Sequence, residues 1–121
     1  MLIWAGEGPE RVPDAAVALI LEADSIYFSV ISIWEIAIKT ARKKPGFQID
    51  PDDLRQALLA SGYVEVPVNG EHACAAGRLP PIHKDPFDRM LVAQATSEDL
   101  TLLTADATLA GYGANIRLVK R

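Results

Sequence analysis

The chain has 121 residues, half of them hydrophobic, a formal net charge of −4 and one cysteine, Cys74. That is the size and apolar content of one domain with a real core, residues 1–121, which excludes a disordered chain; the lone cysteine excludes an intrachain disulfide, and no apolar run reaches the ~18 residues of a membrane span. The acidic balance excludes a protein that holds nucleic acid through bulk charge, but not one that binds a nucleic-acid substrate briefly, with metal ions supplying the positive charge.

The start, "MLIWAGEGPER", has no basic region and too short an apolar run for a signal peptide. With a single thiol, a reducing cytoplasmic setting is expected. Met1 to Trp4 is too short to supply much of a strand. Val12 to Ala23 reads as a helix, with Pro13 near its first turn. "SIYFSV" predicts a strand over Ile26 to Val30, and the next apolar stretch predicts a helix from Ser32 to Lys44, ended by Pro45-Gly46.

"IDPDDLRQALLASG" carries its own start and stop: Asp50 to cap, Pro51 at the first helical position, Gly62 just past the end. "YVEVPV" follows as a short strand and "NGEHACAAGRL" as a short helix. "KDPFDRMLVAQATSEDL" is a further helix, with Asp85 as cap and Pro86 in first position. "LTLLT" is a buried strand, "ADATLAGYG" a helical turn ended by glycine, and "NIRLV" a last strand. Helices alternating with short apolar strands imply an α/β domain with a parallel sheet.

In such sheets ligands bind at the carboxyl ends of the strands; Glu35 and Asp106 are expected to share that edge, and Asp85 and Asp88 reach it only if their helix starts there, which spacing alone does not fix. Glu35 lies just after the strand ending near Val30. Asp106 follows "LTLLT". Asp85 and Asp88 open the helix that leads into that strand. A carboxylate cluster suits hard cations such as Mg2+ or Mn2+, which serve phosphoryl transfer. His72 and His83 lack zinc-ligand spacing. No phosphate-binding glycine loop or serine-nucleophile motif is present.

Each acid also has a plainer reading. Ser32-x-x-Glu35 is written as a capping box, which stands level with metal binding for Glu35 on pattern alone. Capping is the better reading for Asp85, while Asp88 stays open. Asp106 can cap the turn that follows it. Lys39, four residues after Glu35, fits an ordinary helical ion pair. Trp34 reads as core, Arg42-Lys43-Lys44 as a solvated helix end, and His72 as a surface helix residue. His83 reads equally as an exposed loop residue or a contact to RNA backbone.

"VISIWEIAIK", "LPPIHKDPFDRMLVAQA" and "LTLLTADATLAGYG" together resemble the PIN-domain ribonuclease toxins of toxin–antitoxin pairs, the VapC type, from about Leu2 to Leu118. The resemblance implies a PIN-like three-layer α/β/α sandwich around a parallel sheet, and a Mg2+- or Mn2+-dependent endoribonuclease. It implies Glu35, Asp88 and Asp106 as metal-binding catalytic acids, Asp85 as an auxiliary acid and Thr104 as support for Asp106. It also implies a homodimer held inactive by a cognate antitoxin, and in that context metal binding overtakes capping as the reading of Glu35. Arg89, Lys84 and Lys39 are candidate phosphate contacts. Members of the family begin with an apolar strand ending in aspartate. Here that strand and its acid are expected to be missing, leaving a gap in the middle of the sheet. An internal methionine taken as the start is favoured over a truncated relative or a second chain filling the gap. A truncated relative would bind antitoxin or RNA without cutting.

Overall fold

The computed structural model describes residues 25–42, 49–104 and 106–118, and the backbone of residues 2–4. The expected helix over Val12 to Ala23 and the Pro45-Gly46 stop lie outside these residues. Five strands form one sheet: β1 (Leu2–Trp4), β2 (Ile26–Ser29), β3 (Val64–Val66), β4 (Thr101–Thr104) and β5 (Ile116–Leu118), in the order β3-β2-β1-β4-β5. Every pairing is parallel.

The expected gap in the sheet is corrected by this topology. Leu2–Trp4 occupies the central position, with Leu2 opposite both Ile26 and Thr101. Three residues suffice because β3 and β5 are equally short, and a parallel ladder on both sides satisfies backbone groups that a buried gap would leave unpaired.

Among the described residues four helices lie between the strands: α1 (Val30–Ala41) and α2 (Pro51–Ala60) before β3, α3 (Gly70–Arg78) and α4 (Pro86–Ser97) before β4. The crossover from β2 to β3 and the one from β3 back to β4 run in opposite directions across the sheet. Right-handed crossovers therefore put their helices on opposite faces, which gives the α/β sandwich. A 3₁₀ turn (Ala107–Tyr112) connects β4 to β5.

Local chemistry sets the helix ends. The Asp50 side chain accepts from the amides of Asp52 and Asp53, with Pro51 opening α2. Gly62, at φ +87°, closes it: the amides of Gly62 and Tyr63 reach the carbonyls of Leu59 and Leu58. One expectation fails here. α1 starts at Val30, capped by Ser29, whose hydroxyl accepts from the Ile31 amide at 3.0 Å. Ser32 is thus a helical residue and Glu35 lies in the second turn, so the Ser32–Glu35 capping box does not form. The serine at the strand's end captures the first free amide, and the helix starts earlier than the sequence pattern suggested.

The core joins Ile31, Val66, Leu91, Val92, Ala95, Leu100, Leu102, Leu109 and Ile116. Leu91, Leu102, Leu103 and Leu109 are fully buried, each contributing about 1.5–3 kcal/mol of apolar burial.

A buried polar chain runs beside this core. Ser29 Oγ donates to Gln94 Oε1, and Gln94 Nε2 donates to the carbonyl of Pro67 at 3.3 Å. His72 Nδ1 accepts the Asn69 amide at 3.2 Å, while its Nε2 meets Glu98 Oε1 at 2.7 Å. His72 is only 1% exposed, so its expected surface position is wrong. It closes a capping box with Asn69 at the start of α3 and reaches the end of α4. Trp34 is the opposite error: expected in the core, it is 57% exposed, because the apolar face of α1 that turns inward carries Ile31 and Ile36 instead.

Candidate metal centre

Asp88 enters the site from the first turn of α4. Asp85 caps that helix, accepting from the amides of Phe87 at 2.8 Å and Asp88 at 3.3 Å, and Pro86 fixes the first helical position. This fixes the start of α4 at the acidic site. Burial pushes the Asp88 carboxyl up to about 6, and the negative charges of Asp85, Glu35 and Asp106 push the same way against His83.

Asp106 lies at the carboxyl end of β4. Its amide donates to Thr104 Oγ1 at 3.0 Å, and its Oδ1 accepts from the Thr108 amide at 2.9 Å, capping the 3₁₀ turn. Partial burial works against its charge. The Thr108 amide and the His83 side chain outweigh that effect and hold the carboxyl below the usual carboxylate range. Thr104 thus supports Asp106 through its backbone, and the capping reading of Asp106 holds alongside its place in the cluster.

His83 is the member that sequence reasoning did not place. Its Nδ1 accepts the Asp85 amide at 3.1 Å, so the neutral ring carries its proton on Nε2. Nε2 lies 2.9 Å from Asp106 Oδ2 and 3.5 Å from Asp88 Oδ2. The local signal was the H-x-D spacing, which allows the ring to reach the amide two residues on. Nothing local announces the pairing with Asp106, 23 positions away.

Ligand-capable atoms of His83, Asp88 and Asp106 lie within 4.8 Å of one another. Glu35 is not in this tight group. It pairs with Lys39 at 3.5 Å, yet its charge still raises the Asp88 carboxyl. The structure thus brings Asp88 and Asp106 together, places Glu35 beside them, and uses one Asp85 oxygen to cap α4.

Among the candidate phosphate contacts, Arg89 is engaged elsewhere. Its guanidinium donates to the carbonyls of Ala76 at 2.8 Å, Leu79 at 3.1 Å, Pro80 at 3.1 Å and His83 at 3.3 Å, and to Tyr112 Oη at 3.4 Å. The expectation of a phosphate-facing Arg89 is therefore corrected: its planar fork fastens the loop that carries His83 to the end of α3. Lys84 is exposed beside His83.

The donor set fits a divalent cation. Two close carboxylates with a third nearby supply hard oxygen ligands. Burial first, and then the charges of Asp85, Glu35 and Asp106, raise the Asp88 carboxyl, and a cation at this point favours its ionised form.

Solved structures that share this fold include the following two. One is "Crystal structure of VapBC2 from Rickettsia felis bound to a DNA fragment from their promoter": the match has a TM-score of 0.68 and 17% identity and covers 100% of this chain and 99% of that one. The other is "Crystal Structure of FitAcB from Neisseria gonorrhoeae", with a TM-score of 0.60, 18% identity and coverage of 98% and 96%. No curated protein is significantly similar in sequence. The family model described as PIN domain matches residues 1–115, nearly the whole length, and the chain belongs to the PIN domain family.

Proposed function

We propose that this protein is a divalent-metal-dependent endoribonuclease, the toxin of a toxin–antitoxin pair. The observation that carries the reading is the cluster of His83, Asp88 and Asp106, whose ligand-capable atoms lie within 4.8 Å of one another, with burial and then neighbouring carboxylates raising the Asp88 carboxyl. Such an arrangement is costly without a cation and favourable with one. Membership of the PIN domain family supports nuclease chemistry. The structural likeness to VapBC2 and FitAcB supports the toxin–antitoxin setting.

Asp88, Asp106 and Glu35 would hold Mg2+ or Mn2+, and His83 orients Asp106 through Nε2–H. When bound, the metal lowers the pKa of a coordinated water and neutralises charge on the phosphate. Asp85 works one step back, fixing the start of α4 so that Asp88 faces its partners. Glu35, paired with Lys39 here, would supply a further hard oxygen donor to the ion. Substrate RNA, a cognate antitoxin, a homodimeric state and a cytoplasmic location complete the reading. Among the described residues no helix is long and apolar enough to cross a membrane.

A second reading rests on one specific observation: the central strand, Leu2–Trp4, carries no carboxylate. A site short of one acid would bind antitoxin or RNA without cutting. Cleavage of single-stranded RNA with Mg2+ or Mn2+, with EDTA, and with Glu35→Gln separates the two. Metal-dependent cleavage lost in the variant supports the nuclease. A folded protein that binds RNA and never cuts supports the second reading.

A further inference from the structure

We propose that Trp34 is a stacking platform for one nucleobase of a single-stranded RNA, seated beside the scissile phosphate; this deepens the ribonuclease reading and rests on it. α1 and α4 approach each other through two adjacent pairs of residues, Trp34-Glu35 and Phe87-Asp88. The acids of these pairs feel each other's charge. The aromatics meet edge to face, with ring centroids 5.2 Å apart and planes at 78°. Phe87 is packed against the core, so it buttresses one side of the indole and leaves Trp34 57% exposed. A large ring held by an anchored neighbour offers a face to a ligand with little orientational freedom left to lose.

The charge distribution favours a base as the occupant. The protein is acidic overall, and the acidic site repels a phosphate backbone until a cation is bound. Of the cations nearby, Arg89 is engaged on carbonyl oxygens and Lys39 on Glu35, while Lys84 is exposed beside His83. A strand must therefore gain much of its hold from contacts that carry no charge, and base–aromatic stacking is such a contact, tolerant of sequence because every base has a π-face. Trp34 meets Phe87, the residue before Asp88 of the acidic cluster, so a base on the indole sits on the same side of the α1–α4 contact as that cluster.

The test is binding of fluorescein-labelled oligoadenylate to the whole chain by anisotropy with Mn2+ present, in a Glu35→Gln background where no strand is cut, together with kcat and KM for the same strand in the unmodified background with Mn2+. Trp34→Ala is expected to weaken binding and raise KM by about 5- to 150-fold with kcat little changed. Trp34→Phe retains most of the affinity, and Trp34→Leu, apolar without a π-face, behaves like Trp34→Ala. Equal binding by the alanine variant, or leucine as good as phenylalanine, overturns the proposal. So does a Trp34→Ala protein that changes its sedimentation but not its RNA affinity, since the occupant is then a second copy of the chain.

The two readings fail separately. Trp34-dependent binding without cleavage keeps the platform and removes the nuclease. Cleavage with an unchanged KM in Trp34→Ala keeps the nuclease and removes the platform. A wild-type chain that neither binds nor cuts removes both.

Discussion

His83 Nε2 lies 2.9 Å from Asp106 Oδ2 while His83 Nδ1 accepts the amide of Asp85. One imidazole therefore links the start of α4 to the end of β4, and both of its nitrogens are used. On the proposed metal-dependent reading it is an outer partner orienting a carboxylate, and such partners typically contribute about 10- to 100-fold to metal affinity or activity. His83→Ala is expected to lose cleavage to that extent, and His83→Gln, which keeps a donor near Nε2, to recover part of it. Manganese titration by calorimetry reads the same effect without turnover; unchanged affinity in His83→Ala would remove the orienting role.

Asp88 predicts a pH dependence in the metal-free protein. Its carboxyl sits at about 6 in the fold against an ordinary value of 3.8, owing to burial first and then to the charges of Asp85, Glu35 and Asp106. Between those values the native state binds more protons than the unfolded chain. Its contribution is therefore fully present below the ordinary carboxylate range and is lost as pH rises through about 6. Asp88→Asn is expected to raise the Tm at neutral pH in EDTA and to flatten stability against pH across that window. Parallel Tm profiles for variant and wild type would contradict this.

Arg89 predicts a result opposite to that of a substrate contact. Its guanidinium serves four carbonyls and one hydroxyl, a geometry lysine cannot reproduce. Arg89→Lys is expected to lower stability by about 1–3 kcal/mol, the cost of leaving part-buried acceptors unpaired. Chemical denaturation measures it. A variant of native stability with weakened RNA binding would return Arg89 to the phosphate role.

Two serines separate the alternative starts of α1. Ser29 caps the helix and also donates to Gln94, whereas Ser32 is an interior helical residue. Ser29→Ala is expected to cost about 1–2 kcal/mol, at the upper end for a lost cap because a buried partner is left behind, and Ser32→Ala close to nothing. The reverse order in thermal melts would restore the Ser32–Glu35 capping box.

Gln94 is fully buried and bonds to Ser29 and to the carbonyl of Pro67. Gln94→Leu has a similar volume but leaves those two groups unpaired, and about 2–4 kcal/mol of stability is expected to go with them. A Tm within a degree or so of wild type would show that the network contributes rigidity and little stability.

Much of this protein was legible residue by residue. Asp50-Pro51 and Asp85-Pro86 announced two helix starts, and Gly62 a helix end, because capping is chemistry between near neighbours. The apolar run Thr101 to Thr104 announced a buried parallel strand. Asp106 was legible at the carboxyl end of β4, where ligands bind in such sheets.

What neighbours in sequence cannot decide is which of several suitable side chains wins a long-range partner. Ser29 took the cap of α1 that Ser32 was expected to share with Glu35. His72, read as exposed, became buried because Glu98 waits 26 positions on. Trp34, read as core, turned outward because Ile31 and Ile36 already fill the inner face of α1. The central place in the sheet fell to three residues, too few to register as a strand alone, because β2 and β4 supply hydrogen-bond partners on both sides. Composition and local spacing determined the elements and the kind of chemistry; burial and distant pairing, which exist only once the chain has folded, decided the membership of the site.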